Sequence, residues 1–165
     1  MVIINKNDLI EVRKEHSDKK VVFCSGNFDL THVGHVLFFE DCKKQGDLLV
    51  VGVGGDYILR INKGLKRPIF NEKTRVKMVD SLKPVDYCFI DDISTKEDPL
   101  RILNIVFEKL KPDFYVINED AFNIPHRQEL AEKYNVKLVI LKRWCPKEFE
   151  EGMSTTDIIE KVRSL

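Results

Sequence analysis

Five short apolar runs, each the length of a buried strand, constrain this chain more than any other feature of its sequence. They are Lys20 to Cys24 (KVVFC), Leu48 to Val53 (LLVVGV), Val85 to Ile90 (VDYCFI), Phe114 to Ile117 (FYVI) and Lys137 to Leu141 (KLVIL). All are rich in β-branched or aromatic residues, as parallel strands covered on both faces tend to be. Helical patterns lie between and after them. Val33 to Gln45 ends at Gly46, which is expected to act as a C-cap, and Glu72 to Leu82 stops before Lys83-Pro84. Pro99 to Leu110 stops before Lys111-Pro112, Pro125 to Tyr134 opens on proline, and Thr155 to Val162 follows the N-cap residue Ser154. Strand–helix alternation predicts an α/β fold: a doubly wound, Rossmann-like parallel sheet with helices on both faces. With no repeat or linker visible, residues 1–165 are expected to form one domain, an N-terminal helical extension (1–18) preceding a core (19–165).

Such sheets bind ligands beyond the carboxyl ends of their strands, and composition narrows the ligand. The 27 basic side chains balance the 27 acidic ones, so the surplus that nucleic-acid binding usually needs is missing. A local basic pocket for a small polyanion remains compatible with that balance. Cys24, Cys42, Cys88 and Cys145 form no CxxC pair, which argues against zinc. Cys24 and Cys88 lie within apolar runs and read as buried thiols of a reducing cytosol. No signal-peptide stretch or membrane-length apolar segment occurs, so a cytoplasmic location without a membrane partner is expected.

The run Lys20 to Cys24 leads directly into Ser25-Gly26-Asn27-Phe28-Asp29-Leu30-Thr31-His32-Val33-Gly34-His35. His32 and His35 are three apart at a helix start and therefore face the same way. Gly34 removes a side chain between them, so a ligand can approach the backbone. Helix amides and dipole favour an anion there, beside two imidazoles. Imidazole N–H groups aimed at an α-phosphate would stabilise the charge that in-line attack builds on its oxygens. An isolated HxxH is more often two polar residues on a capped helix, so the surrounding string carries the argument.

That string, GNFDLTHVGH, resembles the GxFDxxHxGH signature of the cytidylyltransferase-like nucleotidyltransferases. Gly152-Met153-Ser154-Thr155-Thr156-Asp157-Ile158-Ile159 resembles their G-x-S-T-T-x-I-I element, and the likeness runs from about Lys20 to the C-terminus. The resemblance implies transfer of a nucleoside monophosphate from a triphosphate to a phosphorylated acceptor, with release of pyrophosphate. It places His32 and His35 on the α-phosphate and Gly26, Asn27, Phe28 and Gly34 around the nucleotide. Ser154 and Thr155, after Gly152, would offer hydroxyls and amides to the β and γ phosphates, with simple helix capping as the plain reading.

Several further segments are similar to family elements. Lys43 and Lys44 precede Gly46-Asp47 as in K-x-G-D; one of them, with Lys44 the catalytic choice, reaches phosphate, or both form a solvated helix end. Lys63 opens a segment similar to K-G-x-x-R-P and implies an acceptor or phosphate contact. Glu72 and Arg75 match E-x-x-R, implying an Arg75–phosphate contact, with an i,i+3 ion pair to Glu72 as the alternative. Asp29 either orients a histidine or accepts from acceptor hydroxyls. Trp144, Phe38 and Phe39 read as packing.

Within the superfamily, KGLKRPIFNEKTRVKMVDSLKPVDYCFI and Phe149-Glu150-Glu151-Gly152 resemble the adenylyltransferase part of bacterial ADP-heptose synthesis enzymes. Glycerol-phosphate and choline-phosphate cytidylyltransferases tend to place an arginine where this chain has Phe149. Two departures stand out: Asn118 to Phe122 replaces a G-G-D-Y-like loop, and Asn27 replaces the usual cysteine of G-C-F-D. The expected reaction is adenylyl transfer from ATP to a sugar 1-phosphate such as heptose 1-phosphate, aided by Mg²⁺ held mainly by phosphates and water. A homodimer is the assembly such a resemblance implies. The alternatives are a CTP-dependent glycerol-phosphate-type cytidylyltransferase, an FMN adenylyltransferase and a non-catalytic nucleotide-binding sensor.

Overall fold

The computed structural model describes residues 2–149 and 154–165. The first strand, β1 (Val2–Ile3), is followed by a 3-10 turn and α1 (Leu9–Glu15). Then come β2 (Val21–Gly26), α2 (Val33–Lys43), β3 (Leu48–Gly54), α3 (Asp56–Lys63), α4 (Glu72–Asp80) and β4 (Tyr87–Asp91). The chain continues as α5 (Arg101–Lys109), β5 (Phe114–Asn118), α6 (Ile124–Lys133), β6 (Lys137–Leu141) and α7 (Thr155–Arg163). All strand pairs are parallel, in the order β1-β4-β3-β2-β5-β6.

Alternation along each strand feeds two cores, because successive side chains leave opposite faces of a sheet. Val21, Phe23, Val50, Phe89 and Tyr115 pack with Leu9 and Val12 of α1, Leu103 and Phe107 of α5 and Leu130 of α6. Val22, Cys24, Val51, Cys88 and Val116 pack on the other face with Phe39 and Cys42 of α2 and Val76 and Val79 of α4. Helices therefore cover both faces, as the strand–helix alternation predicts.

Two expectations are corrected here. The N-terminal segment is more than a helical extension: Val2 and Ile3 extend the sheet by pairing with Tyr87 and Cys88. Gly46 does not close α2 in a left-handed conformation; Gly64 alone among the described glycines has positive φ. Its missing side chain instead lets the chain pass Lys20, whose carbonyl oxygen would lie 2.6 Å from a Cβ at that position.

The winding direction reverses at β2. From there β3 and β4 are laid down on one side, and β5 and β6 on the other. The crevice at the carboxyl ends of β2 and β5 is thus the topological switch point, where sheets of this kind bind ligands.

Candidate functional site

A cavity of about 680 Å³ opens at that switch point, a size suited to a small-molecule ligand. Ser25 and Gly26 of β2 lead into it. Phe28 and Leu30 then adopt φ of 51° and 47°, the left-handed region that side chains disfavour. This pair of turns folds the Phe28 ring back over Gly26, where a Cβ would meet a ring carbon at 2.8 Å. The ring is buried against Phe39, and it meets the His35 imidazole edge-on at 5.3 Å between centroids. Gly26 and Phe28 thereby build the wall against which the histidines stand.

His32 occupies the N-cap of α2 and His35 its third position. Their rings stack 3.8 Å apart at 25°, so the same-face expectation holds. The His32 amide donates to His35 Nδ1 at 3.4 Å, leaving the proton of neutral His35 on Nε2. Burial, then the neighbouring His32 and Arg143, depress the pKa of His35 to about 3. Burial and Arg143 also lower that of His32, while Asp157 opposes the shift. Both rings are uncharged near neutral pH, so each offers a single N–H. His32 Nδ1 is buried with no hydrogen-bond partner among the described residues.

Asp29 has a different task from the two considered above. Its carboxylate accepts from Arg67 Nε at 2.9 Å and from the amides of Ile69 and Phe70. With 2% exposure it pins the segment after α3 across the cavity and has little capacity left for an acceptor. Its carbonyl oxygen accepts from Thr155 Oγ1 at 2.7 Å, tying the start of α7 to the same loop. Ser154 caps α7 by accepting from the Asp157 amide at 3.1 Å. Ser154 and Thr155 line the cavity, so two helix N-termini, those of α2 and α7, converge on it. Gly152 lies outside the described residues.

Arg75 does not line the cavity. Fully buried, it donates to the carbonyls of Phe70 and Asn27 and to Asp56 Oδ1, at 2.9, 2.6 and 2.7 Å. Nor does it pair with Glu72, whose carboxylate accepts from the Asp56 amide. Arg75 is a strut joining α4, the start of α3 and the Asn27 loop, while Asn27 itself lines the cavity.

Lys43 and Lys44 are not brought to the site either. They end α2, roughly 16 Å along the helix from His32 at 1.5 Å per residue. Lys43 binds Asp86 and the Asp47 carbonyl, and Lys44 the Asp41 carboxylate. Lys63, the last residue of α3, does line the cavity, as does Gly34.

The lining also takes in Arg67, the arginine of the K-G-x-x-R-P-like segment, and two arginines with no sequence signal of their own, Arg127 and Arg143. The three come from separate segments. Arg127 donates to the Tyr115 hydroxyl and the Phe122 carbonyl, and Arg143 pairs with Asp120 at 2.9 Å. Phe38 lines the cavity too, while Phe39 is core. Trp144 is 64% exposed, contrary to the expectation that it packs.

The cavity's donors suit phosphate better than a bare cation. Of its carboxylates, Asp29 and Asp120 are paired with arginines, and Asp91 accepts from the Ile93 and Ser94 amides. Among the described residues no group of three or more His, Cys, Asp or Glu is arranged to hold a metal.

The cytidylyltransferase-like family matches residues 23–161, a span that contains both the histidine loop and the start of α7. The chain belongs to this family. Members are nucleotidyltransferases, and this chain is one. The chain is similar to the bifunctional protein HldE of Helicobacter pylori (strain HPAG1), at 36% identity over 90% of this chain and 29% of the relative. It is similar to the bifunctional protein HldE of Campylobacter jejuni (strain RM1221) at 35% identity, over 98% of this chain and 31% of the relative. The chain thus spans less than a third of the length of these curated relatives. Among solved structures, the lipopolysaccharide core biosynthesis protein of Thermoplasma volcanium superposes with a TM-score of 0.61 at 30% identity, over 78% of this chain and 99% of that one. The pantoate-beta-alanine ligase of Francisella tularensis superposes with a TM-score of 0.65 at 17% identity, over 100% of this chain and 78% of that one, a likeness of fold alone. No helix among the described residues is long and apolar enough to cross a membrane.

Proposed function

We propose that this nucleotidyltransferase transfers the adenylyl group of ATP to the phosphate of a sugar 1-phosphate, heptose 1-phosphate being the model acceptor. The observation that carries the reading is the stacked, uncharged His32–His35 pair at the N-terminus of α2, facing the same cavity as the N-terminus of α7. Two helix N-termini provide for a polyanion, and two neutral imidazoles provide N–H donors at its α-phosphate.

An acceptor phosphate oxygen attacks the α-phosphorus in line, and the bond to the bridging oxygen of pyrophosphate breaks. The acceptor is mostly a dianion near neutral pH, its second pKa lying near 6, so the step needs no general base. His35 donates from Nε2 to a non-bridging α-oxygen, and His32 donates alongside it. Ser154 and the amides opening α7 hold the β and γ phosphates, with Lys63 and Arg143 supplying charge. Mg²⁺ would be held mainly by the triphosphate and water and, when bound, would supply neutralising charge for the leaving pyrophosphate.

The choice of ATP and of a sugar phosphate rests on the similarity to the HldE proteins, the Thermoplasma volcanium lipopolysaccharide core biosynthesis protein and the segment around Phe149. The test crosses ATP and CTP with D-mannose 1-phosphate, heptose 1-phosphate and glycerol 3-phosphate, reading pyrophosphate. Release with ATP and a sugar 1-phosphate supports the assignment; a preference for CTP and glycerol 3-phosphate overturns it while leaving the family intact.

A further inference from the structure

The cavity extends well beyond the histidines, across the carboxyl ends of β3 and β4. Gly52 and Gly54 of β3, with no side chains of their own, floor the space between the histidine loop and Asp91 at the end of β4, the Asn27 side chain resting against Gly54. Gly26 pairs with Val53 and Asp91 with Gly54, so the loop and Asp91 stand at nearly the same level of the sheet. Two strand spacings separate them, about 10 Å, which is the length of a phosphate joined to a hexose ring. Ile58 and Leu59 of α3 form one wall, and Leu100 and Leu103 beside and within α5 form the other. Asn62, one turn along α3 from Ile58, contributes an amide to the same rim.

We propose that this half of the cavity is the subsite for the acceptor's sugar, with Asp91 accepting hydrogen bonds from its ring hydroxyls and Asn62 a second polar contact. The assignment rests on the adenylyl-transfer reading, because the acceptor's phosphate must meet the α-phosphorus beside His32 and His35. Asp91 is 8% exposed; the amides of Ile93 and Ser94 donate to its Oδ1 at 3.2 and 3.0 Å, and the Ser94 side chain adds one further hydrogen bond to the carboxylate. No basic side chain forms an ion pair with it among the described residues. A buried carboxylate without a cationic partner gains from a ligand that donates. Burial accordingly pushes its carboxyl above the ordinary range. The apolar walls suit the C–H faces of a sugar ring, and the polar groups suit its hydroxyls.

The experiment measures binding of D-mannose 1-phosphate and of methyl phosphate, the same anion without hydroxyls, to the full chain holding a non-hydrolysable ATP analogue. Wild type should bind the sugar phosphate more tightly. Asp91→Asn should weaken that binding roughly 10- to 100-fold, the scale of a hydrogen bond to a charged group, while leaving methyl phosphate and the ATP analogue within twofold. If Asp91→Asn does not fold, Asn62→Ala on the exposed rim decides, with a several-fold loss confined to the sugar phosphate. Equal affinity of wild type for the two probes, or undiminished preference in the folded variants, overturns the subsite. Pyrophosphate release measured in parallel separates the two claims. Turnover with no effect of Asp91 sinks the subsite alone, whereas a hydroxyl preference lost in Asp91→Asn, without turnover on any acceptor, sinks the transfer reading alone.

Discussion

Replacing Arg75 by methionine should damage stability rather than ligand contact. The guanidinium is wholly buried and donates to two carbonyls and to Asp56, whose side chain is 20% exposed. Methionine fills much of the volume but leaves the Asp56 carboxylate without its cation and two carbonyls without a donor. Breaking a buried pair from one side costs about 3–5 kcal/mol, and the partial exposure of Asp56 puts this case near 3. For a chain of this length each kcal/mol lowers Tm by about 2–4 °C, which predicts a drop of roughly 6–12 °C. Urea denaturation and thermal melting give the stability change, and calorimetry at a temperature where the variant is folded gives ATP affinity. Because the Asn27 loop loses its tether, turnover should fall several-fold, with ATP affinity changing less. An unchanged Tm with ATP binding lost would refute the strut and restore Arg75 as a phosphate ligand.

Three further outcomes follow from the geometry. His35 is protonated more readily unfolded, near its ordinary 6.5, than folded, near 3, so wild type should lose stability as pH falls through that window. The slope attributable to one such proton is about 1.4 kcal/mol per pH unit, and between pH 6.5 and 5 urea denaturation should show a correspondingly shallower loss for His35→Gln. Lys44→Ala should leave kcat and KM within twofold of wild type in steady-state assays, since Lys44 is exposed and bound to Asp41 at the far end of α2; a 10²-fold loss of turnover would contradict that placement. Ser154→Ala should cost about 1 kcal/mol of stability through the lost cap and weaken ATP binding more than acceptor binding, whereas equal losses in calorimetric titrations would mean that α7 has loosened as a whole.

The fold could be read wherever a residue pattern is local. Runs such as KVVFC and KLVIL are continuous and β-branched, and their strands begin within one or two residues of the expected positions. Val2–Ile3 escaped because a two-residue edge strand cannot display a period, and α3 because DYILRINK follows the apolar run of β3 with only a glycine pair between. The same divide holds at the site. His32, His35, Ser154 and Thr155 sit in short contiguous motifs at helix starts, where spacing alone fixes direction. Arg67 and Arg143 reach the cavity from the loops after α3 and β6, Arg127 from α6 and Asp91 from the end of β4, and only the packing of these elements around the switch point assembles them. Lys43, Lys44 and Arg75 match family strings, yet string matching says nothing of which end of a helix, or which side of a loop, a charge occupies.

The central claim, that the stacked pair stabilises charge on the α-phosphate, is tested most directly by single-turnover adenylyl transfer in His32→Ala and His35→Ala. Loss of a transition-state donor predicts a fall of about 10²-fold or more in the rate of the chemical step for each variant, with ATP affinity and Tm nearly unchanged. Variants that melt many degrees lower while each folded molecule transfers at the wild-type rate would contradict it, and would make the pair a structural element of α2.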